Sequence, residues 1–339
     1  MSKKATAQFW DTAHRYLGHQ LKVIRQVSSH TIDSYRDCLN SFIDYLERVE
    51  NISRKKISFH NFGKETIKRY QTWMITEQGL APKTCNLRLT AIRSFLEYAA
   101  QEYLWLMPVY TDACTIAGVK TPNHAIEYFE PDEMTALLAA PSGTSRTDRR
   151  NQMMLIFLYD TAARVAEARQ VKVSDLHLDA GVPYVTLLGK GRKYRNIPLM
   201  EKTVLHLKRY LKDFHGSDPK TDLPLFYSKA HGMLHELSSD TFEKMIKRYA
   251  AQCREDGYPM PDHVHCHMIR KTRAMDLYRE GVPLPHIQQL LGHENISTTS
   301  GFYAFATLDV LAKAMEAVNP DNGVKSWSDP DILERLYRL

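Results

Sequence analysis

Nowhere in its 339 residues does the chain carry an apolar run of 18 or more, so no segment reads as a membrane-spanning helix. Cysteine is scarce: Cys38, Cys85, Cys114, Cys253 and Cys266 are odd in number and widely spaced. That argues against a disulfide framework and for reduced thiols. No apolar stretch follows Met1-Ser2-Lys3-Lys4, so no secretory signal is expected, and the chain reads as cytoplasmic with no membrane partner. Internal repeats and low-complexity stretches are also missing. What remains is 43% hydrophobic and 25% charged, the balance of a soluble globular protein. The length is enough for two domains with separate cores.

Acidic excess is missing as well. The net charge is +6, and residues 1–120 hold all of it, with 17 Lys/Arg against 11 Asp/Glu; residues 121–339 hold 28 of each. A basic N-terminal third suggests a polyanionic partner. This third reads as helical. Ser28 or Ser29 can cap a helix carrying Ile32, Tyr35, Leu39, Phe42, Ile43 and Leu46 at spacings of three and four. A second helix carries Ile67, Tyr70, Trp73 and Met74, and a third starts at Pro82 and runs through Leu87, Leu89, Ile92, Phe95, Leu96 and Ala99. Lys83, Arg88 and Arg93 lie mostly off that third stripe. With the local charge excess they are expected to face DNA.

Pro108, Gly118 and Pro122 break the periodicity, so residues 108–128 are expected to link a helical domain at 1–107 to a second domain at 129–318. The second domain opens on a helix begun by Glu130 or a neighbour, with Pro131 in its first turn. A strongly apolar helix over 152–171 stops short of Arg164 and restarts after it. Pro183 to Leu188 and Tyr194 to Leu199 read as two strands, with Lys190, Arg192 and Lys193 in the turn between. The remainder to about Val318 reads as helices. A tail at 319–339 ends in a stripe of Ile332, Leu333, Leu336 and Leu339, which something must cover. The expected class is mainly α with a small β-sheet (α+β).

Six polar residues stand out along this second domain: Arg164, Lys190, His267, Arg270, His293 and Tyr303. Two arginines can hold the non-bridging oxygens of one phosphate and neutralise the charge that grows in its transition state. A lysine at a hairpin tip can protonate a leaving oxygen, which a guanidinium cannot readily do. Histidines can orient the phosphate or carry the nucleophile's proton. A tyrosine becomes a useful nucleophile when cations surround its phenolate. Guanidinium groups supply the charge a divalent ion otherwise would, so neither metal nor other cofactor is expected. Each residue alone has a duller explanation, as a cap, a solvated tip or a core side chain; the ordered series is what carries the reading.

In these stretches the chain resembles the tyrosine recombinase, or phage integrase, family, with a layout like Xer-type and transposon-encoded integrases. The N-terminal match lies in Ser28-x-x-Thr31-Ile32-x-x-Tyr35 and in Pro82-Lys83-Thr84-x-Asn86 onward to Arg93. The resemblance implies a helical, SAM-like core-binding domain and a catalytic domain. It implies that Arg164 and Arg270 clamp the scissile phosphate, that Lys190 is the general acid and that His267 and His293 assist. Tyr303 would form a 3′-phosphotyrosyl bond. Glu167 matches a supporting position, and Lys271 stands where relatives usually have His. Arg192 and Lys193 join Lys83, Arg88 and Arg93 as expected DNA contacts. The partners implied are double-stranded DNA and a homotetramer on two DNA sites that passes through a Holliday junction, together with accessory DNA-bending or directionality proteins. The work implied is integration or excision of a mobile element, without metal or ATP, at the bacterial nucleoid. The Ile332–Leu339 stripe is expected to dock on a neighbouring subunit.

Two departures are visible. Relatives usually have Gly at the place of Ala162, and their tyrosine follows the histidine one residue sooner; here Tyr303 is ten residues past His293 and Phe302 holds the ninth place. Three competing readings stand beside the enzyme: a non-catalytic DNA-binding regulator or architectural protein of the same fold, a relaxing topoisomerase, and a metal site. The last comes from Asp262-His263-Val264-His265-Cys266-His267, whose alternate residues on a strand would point one way.

Overall fold

The computed structural model describes residues 3–122, 127–189, 191, 193–217, 220–230 and 232–292. The chain divides into two compact units, residues 1–124 and 125–339. The tail expected at 319–339, with its apolar stripe, lies outside the described residues.

The first unit is helical: α1 (Lys3–Arg15), continued by a wider π-type helix over Tyr16–Ile24, then α2 (Ser29–Arg48), α3 (Lys64–Thr76), α4 (Pro82–Glu102) and α5 (Met107–Cys114). Of the two candidate caps, Ser28 is the one used. It is extended, and its hydroxyl accepts from the N–H of Thr31, one of the donors a helix start leaves without a partner. Pro82 opens α4, where a missing N–H costs nothing. The stripes read from the sequence are buried at Ile32, Leu39, Phe42, Ile43 and Leu46 and at Leu89, Ile92, Phe95, Leu96 and Ala99. Leu87 is not; it is 45% exposed, because it sits two residues from Leu89 and so off that face. Phe9 meets Phe59 and Phe95 edge-on at the centre of this core, an arrangement that suits the ring quadrupoles.

The stretch expected as a linker from residue 108 begins instead as helix α5, packed in the first unit through Ala113 and Ile116. Polar side chains hold the backbone from the end of α5 to Val119. Arg93 donates from Nε to the Ala113 carbonyl at 3.0 Å and from Nη2 to that of Ile116. Gln71 donates to Ala117 O at 2.9 Å. Asn86 clasps Val119 from both sides, accepting its N–H at 2.7 Å and donating to its carbonyl at 2.9 Å. Pro108 lies in the first turn of α5, a place where proline starts a helix rather than breaking one.

The second unit runs α6 (Pro131–Ala139), α7 (Arg146–Thr161), α8 (Val165–Gln170), β1 (Leu176–His177), β2 (Tyr184–Leu188), β3 (Tyr194–Pro198), α9 (Glu201–His215), β4 (Tyr227–Ala230), β5 (Met233–Glu236), α10 (Ser239–Glu255), α11 (Cys266–Arg279) and α12 (Leu284–Leu291). Strands β1, β2 and β3 form one antiparallel sheet in that order, with Leu188 opposite Tyr194 at the hairpin end. The architecture is thus mainly α with small antiparallel sheets. The main core gathers Leu155, Phe157 and Leu158 of α7, Val185, Leu187 and Ile197 of the sheet, and Met268 and Ile269 of α11. A smaller cluster of Ala162, Ala274, Met275, Ile287 and Leu291 fastens α12 to α11 and to the break between α7 and α8.

One segment expected to be helical is not. Residues 227–230 pair antiparallel with residues 233–236, β4 with β5, and Gly232 beside them has φ +77°, a conformation natural to glycine. All four residues of β5 are exposed, so no alternation in burial marked it as a strand.

Candidate active site

Helix α7 ends because Ala162 takes the left-handed conformation, φ +49° and ψ +29°. Glycine adopts it freely and alanine at a cost of about 1 kcal/mol, which accounts for Gly being usual at this place in the resembling family. Arg164 follows in an extended conformation as the cap of α8, and Glu167 reaches back to it. The backbone N–H of Arg164 donates to Glu167 Oε2 at 2.8 Å, and its Nη1 donates to Oε1 at 2.8 Å. Glu167 is 4% exposed. A bare carboxylate so deeply buried would be costly, but this one lies among three guanidinium groups.

The second is Arg270, on the first turns of α11 and 3% exposed. Its Nη1 is 3.9 Å from Glu167 Oε2 and donates to the Ala162 carbonyl at 2.6 Å, while Nη2 donates to that of Leu291. Arg270 therefore ties the α7–α8 break to the C-terminal end of α12, two ends whose carbonyls lack helical partners. The third is Arg195 of β3, which sequence reasoning did not single out. Its Nη1 and Nη2 donate to Glu167 Oε1 and Oε2 at 2.9 and 2.7 Å, and its Nε donates to Leu290 O at 3.0 Å. A signal for it existed: Arg195 shares a strand face with the buried Ile197, and a charge on an inward face needs a partner.

Burial alone would raise the pKa of Glu167. The forked bonds from Arg195, the backbone N–H of Arg164 and the surrounding positive charge instead hold it down to about 2. The cluster thus carries three positive charges against one negative. His267, one turn before Arg270 on α11, is within the electrostatic reach of both Arg270 and Arg164. Desolvation first, and then the charges of Arg270, Lys271, His265 and Arg164, push its pKa down to about 4. Its edge remains exposed, so the direction carries the argument: the imidazole is neutral at pH 7.

Of the six residues singled out from the sequence, Arg164, His267 and Arg270 are brought together here. Lys190, His293 and Tyr303 lie outside the described residues, as does Arg192. Between β2 and β3 the Gly189 N–H donates to Lys193 O at 2.8 Å. Lys193 and Lys83 are exposed, and Arg88 is half-buried beside Tyr70. Arg93, expected on DNA, has its guanidinium turned onto the carbonyls of Ala113 and Ile116.

The strand imagined for His263 to His267 is absent. Cys266 begins α11, with its N–H donating to both Glu243 oxygens at 3.3 Å and burial raising its thiol pKa. Among the described residues no group of three or more His, Cys, Asp or Glu is placed to hold a metal ion, and no helix is long and apolar enough to cross a membrane.

Residues 127–307 match the model of the phage integrase family, and residues 14–103 match the N-terminal SAM-like domain of phage integrases. The chain belongs to the phage integrase family. A putative integrase/recombinase, y4rC, of Sinorhizobium fredii is 30% identical over 309 residues, covering 91% of this chain and 90% of that protein. Tyrosine recombinase XerD of Halalkalibacterium halodurans is 34% identical over 285 residues, 83% of this chain and 89% of that one. Among solved structures, the Tn1549 transposon integrase with transposon right-end DNA shares the fold with a TM-score of 0.69 at 19% identity, over 93% of this chain and 99% of that chain. XerH bound to a palindromic difH substrate does so with a TM-score of 0.66 at 20% identity, over 86% and 81%. Family membership makes the chain a tyrosine-type site-specific recombinase, an enzyme of DNA strand breakage and rejoining. Its two units are the helical N-terminal domain and the catalytic domain of that family.

Proposed function

We propose that this recombinase cuts one DNA strand at a time by attack of Tyr303 on a phosphodiester held by Arg164 and Arg270. The observation that carries the reading is the gathering of these two arginines, 106 positions apart in sequence, around one buried carboxylate with neutral His267 beside them. A cluster with more positive than negative charge favours a phosphate, and still more the additional negative charge of its pentacoordinate transition state. The Tyr303 oxygen bonds to phosphorus as the bond to the 5′ oxygen breaks, leaving a 3′-phosphotyrosyl strand. Lys190 protonates the departing 5′ oxygen. The phenolic proton leaves through His293 or water. His267, with so little affinity for a proton, acts as a hydrogen-bonding partner of the phosphate. Reversal of these steps on a second strand rejoins DNA, so no ATP is consumed. Two such exchanges, made by a homotetramer on two sites, pass through a Holliday junction.

The similarity to an integrase/recombinase of Sinorhizobium fredii and the fold shared with a transposon integrase support service to a mobile element, by integration or excision. Accessory DNA-bending or directionality proteins complete the set of partners in this reading. The test is a nicked suicide substrate bearing the flanking DNA of the gene's own element. A covalent protein–DNA adduct is expected with the wild type and none with Tyr303→Phe. An adduct that survives that substitution overturns the assignment of the nucleophile. No adduct on any site would favour a DNA-binding regulator of the same fold.

A further inference from the structure

We propose that Arg195 is a positioning residue of the site: by taking both oxygens of Glu167 it keeps that carboxylate from capturing Arg164, and it pins the two chain ends from which Lys190 and His293 depart. The proposal rests on the strand-cleavage reading above.

Glu167 has two oxygens and three guanidinium neighbours. Arg195 occupies both in a fork, at 2.9 and 2.7 Å, and is only 13% exposed. Arg164 meets the same carboxylate with a single side-chain nitrogen, at 2.8 Å, and is 34% exposed. Its Nη2 lies 3.5 Å from the Gly292 carbonyl. Parallel forks are the strongest form of an arginine–carboxylate pair. A Glu167 without Arg195 would find its next fork partner in Arg164, already attached by one arm. That rotation would draw the guanidinium inward, off the exposed edge where a phosphate can reach it.

The surroundings of Arg195 are built to its shape. A Cβ at Gly189 would sit 3.1 Å from its Nη1, and one at Gly292 would sit 3.1 to 3.2 Å from its Nη1, Cδ and Cζ. Gly292 also has φ +61°, a region glycine occupies without strain. Gly189 immediately precedes Lys190, and Gly292 immediately precedes His293. One guanidinium therefore packs against both glycines while its Nε holds Leu290 O at 3.0 Å. An ordinary buried ion pair gains little over a well-packed apolar residue, and the neighbouring inward position of β3 is Ile197. What an arginine adds here is control of the carboxylate and of two chain ends.

The experiment compares wild type, Arg195→Lys, Arg195→Gln, Glu167→Gln and the double variant Arg195→Gln with Glu167→Gln. Single-turnover adduct formation on the suicide substrate is read beside DNA affinity and urea unfolding, at a temperature where every variant is folded. Arg195→Gln is expected to slow cleavage about 100-fold, the scale of a misplaced reacting group, with DNA affinity unchanged within about threefold because the loss is confined to the transition state. Arg195→Lys, which keeps the charge without the fork, is expected in between. Adding Glu167→Gln to Arg195→Gln should restore about tenfold of the rate by removing the carboxylate that captures Arg164, a coupling that only a shared network gives. Recovery of stability without recovery of rate would overturn the proposal, as would an Arg195→Gln protein that cleaves like wild type. A wild type that forms no adduct would remove the cleavage reading instead. The crystal structure of Arg195→Gln then decides by itself: a forked Arg164–Glu167 pair upholds the positioning role, and an unmoved Arg164 ends it.

Discussion

His267 and Glu167 show how one cluster of arginines acts oppositely on a base and an acid. Desolvation first and then the positive neighbours disfavour the imidazolium, while the arginines' hydrogen bonds and charge outweigh burial at the carboxylate, and so both pKa values fall, from the usual 6.5 to about 4 for His267 and from 4.5 to about 2 for Glu167. A folded-state pKa below the unfolded one means that the unfolded chain binds protons first as pH drops. For His267 the stability in question is fully present above pH 6.5 and is lost as pH falls toward 4. For Glu167 it is present above 4.5 and is lost as pH falls toward 2. NMR titration of the His267 ring is expected to give a midpoint well below 6.5, near 4. A midpoint above 7 would mean that the imidazole is a cation in the site and that its role is electrostatic. His267→Ala should flatten the acid limb of the unfolding midpoint in the higher window and leave the lower one intact.

Arg93, Asn86 and Gln71 act at the scale of elements, by turning an irregular stretch into part of a domain. A helix leaves its last carbonyls poorly satisfied, and the Arg93 guanidinium donates to that of Ala113 in the last turn of α5 and to that of Ile116 just beyond it. Asn86 supplies both a donor and an acceptor to Val119. Arg93→Gln is expected to destabilise the full chain by about 2 kcal/mol, the range for hydrogen bonds to a charged group, as read from urea unfolding. Hydrogen exchange at the amides of residues 113–119 should quicken in the same variant. Unchanged exchange there would show that packing of Ala113 and Ile116 alone secures α5. The periodicity could not show this, since the ties run from side chains on α3 and α4 to backbone atoms some 20 to 46 residues away.

At the scale of the whole molecule the charge is lopsided, with the entire excess of +6 in residues 1–120. Phosphate contacts release counterions, so affinity for DNA falls with salt at a slope set by how many are made. Lys83→Gln, at an exposed position of α4, is expected to weaken binding about equally on all sequences and to lower the salt slope by about 1. Arg93→Gln, on the same helix but turned onto α5, should leave that slope unchanged. Fluorescence anisotropy across a salt series separates the two. Equal slopes for Lys83→Gln and wild type would take Lys83 out of the interface.

Periodicity, capping residues and turn chemistry are local, and they were legible. Ser28, Pro82, the helix break before Arg164 and the hairpin from β2 to β3 all follow from residues close in sequence. The ordered series of six polar residues, with the family resemblance it carries, drew Arg164, His267 and Arg270 to one chemistry, because a phosphate needs several donors at once. What only the tertiary structure decided is what each charge meets. That Arg195 shares Glu167 with Arg164, that Arg93 faces a helix end rather than solvent, and that residues 262–267 lead into a helix rather than a metal-binding strand are long-range facts. They depend on which backbone carbonyls and carboxylates the packing of distant elements brings within hydrogen-bond reach. A guanidinium reads the same in sequence whether it is bound for a phosphate, a carboxylate or a helix end; desolvation and geometry choose among them, and both exist only once the chain has folded.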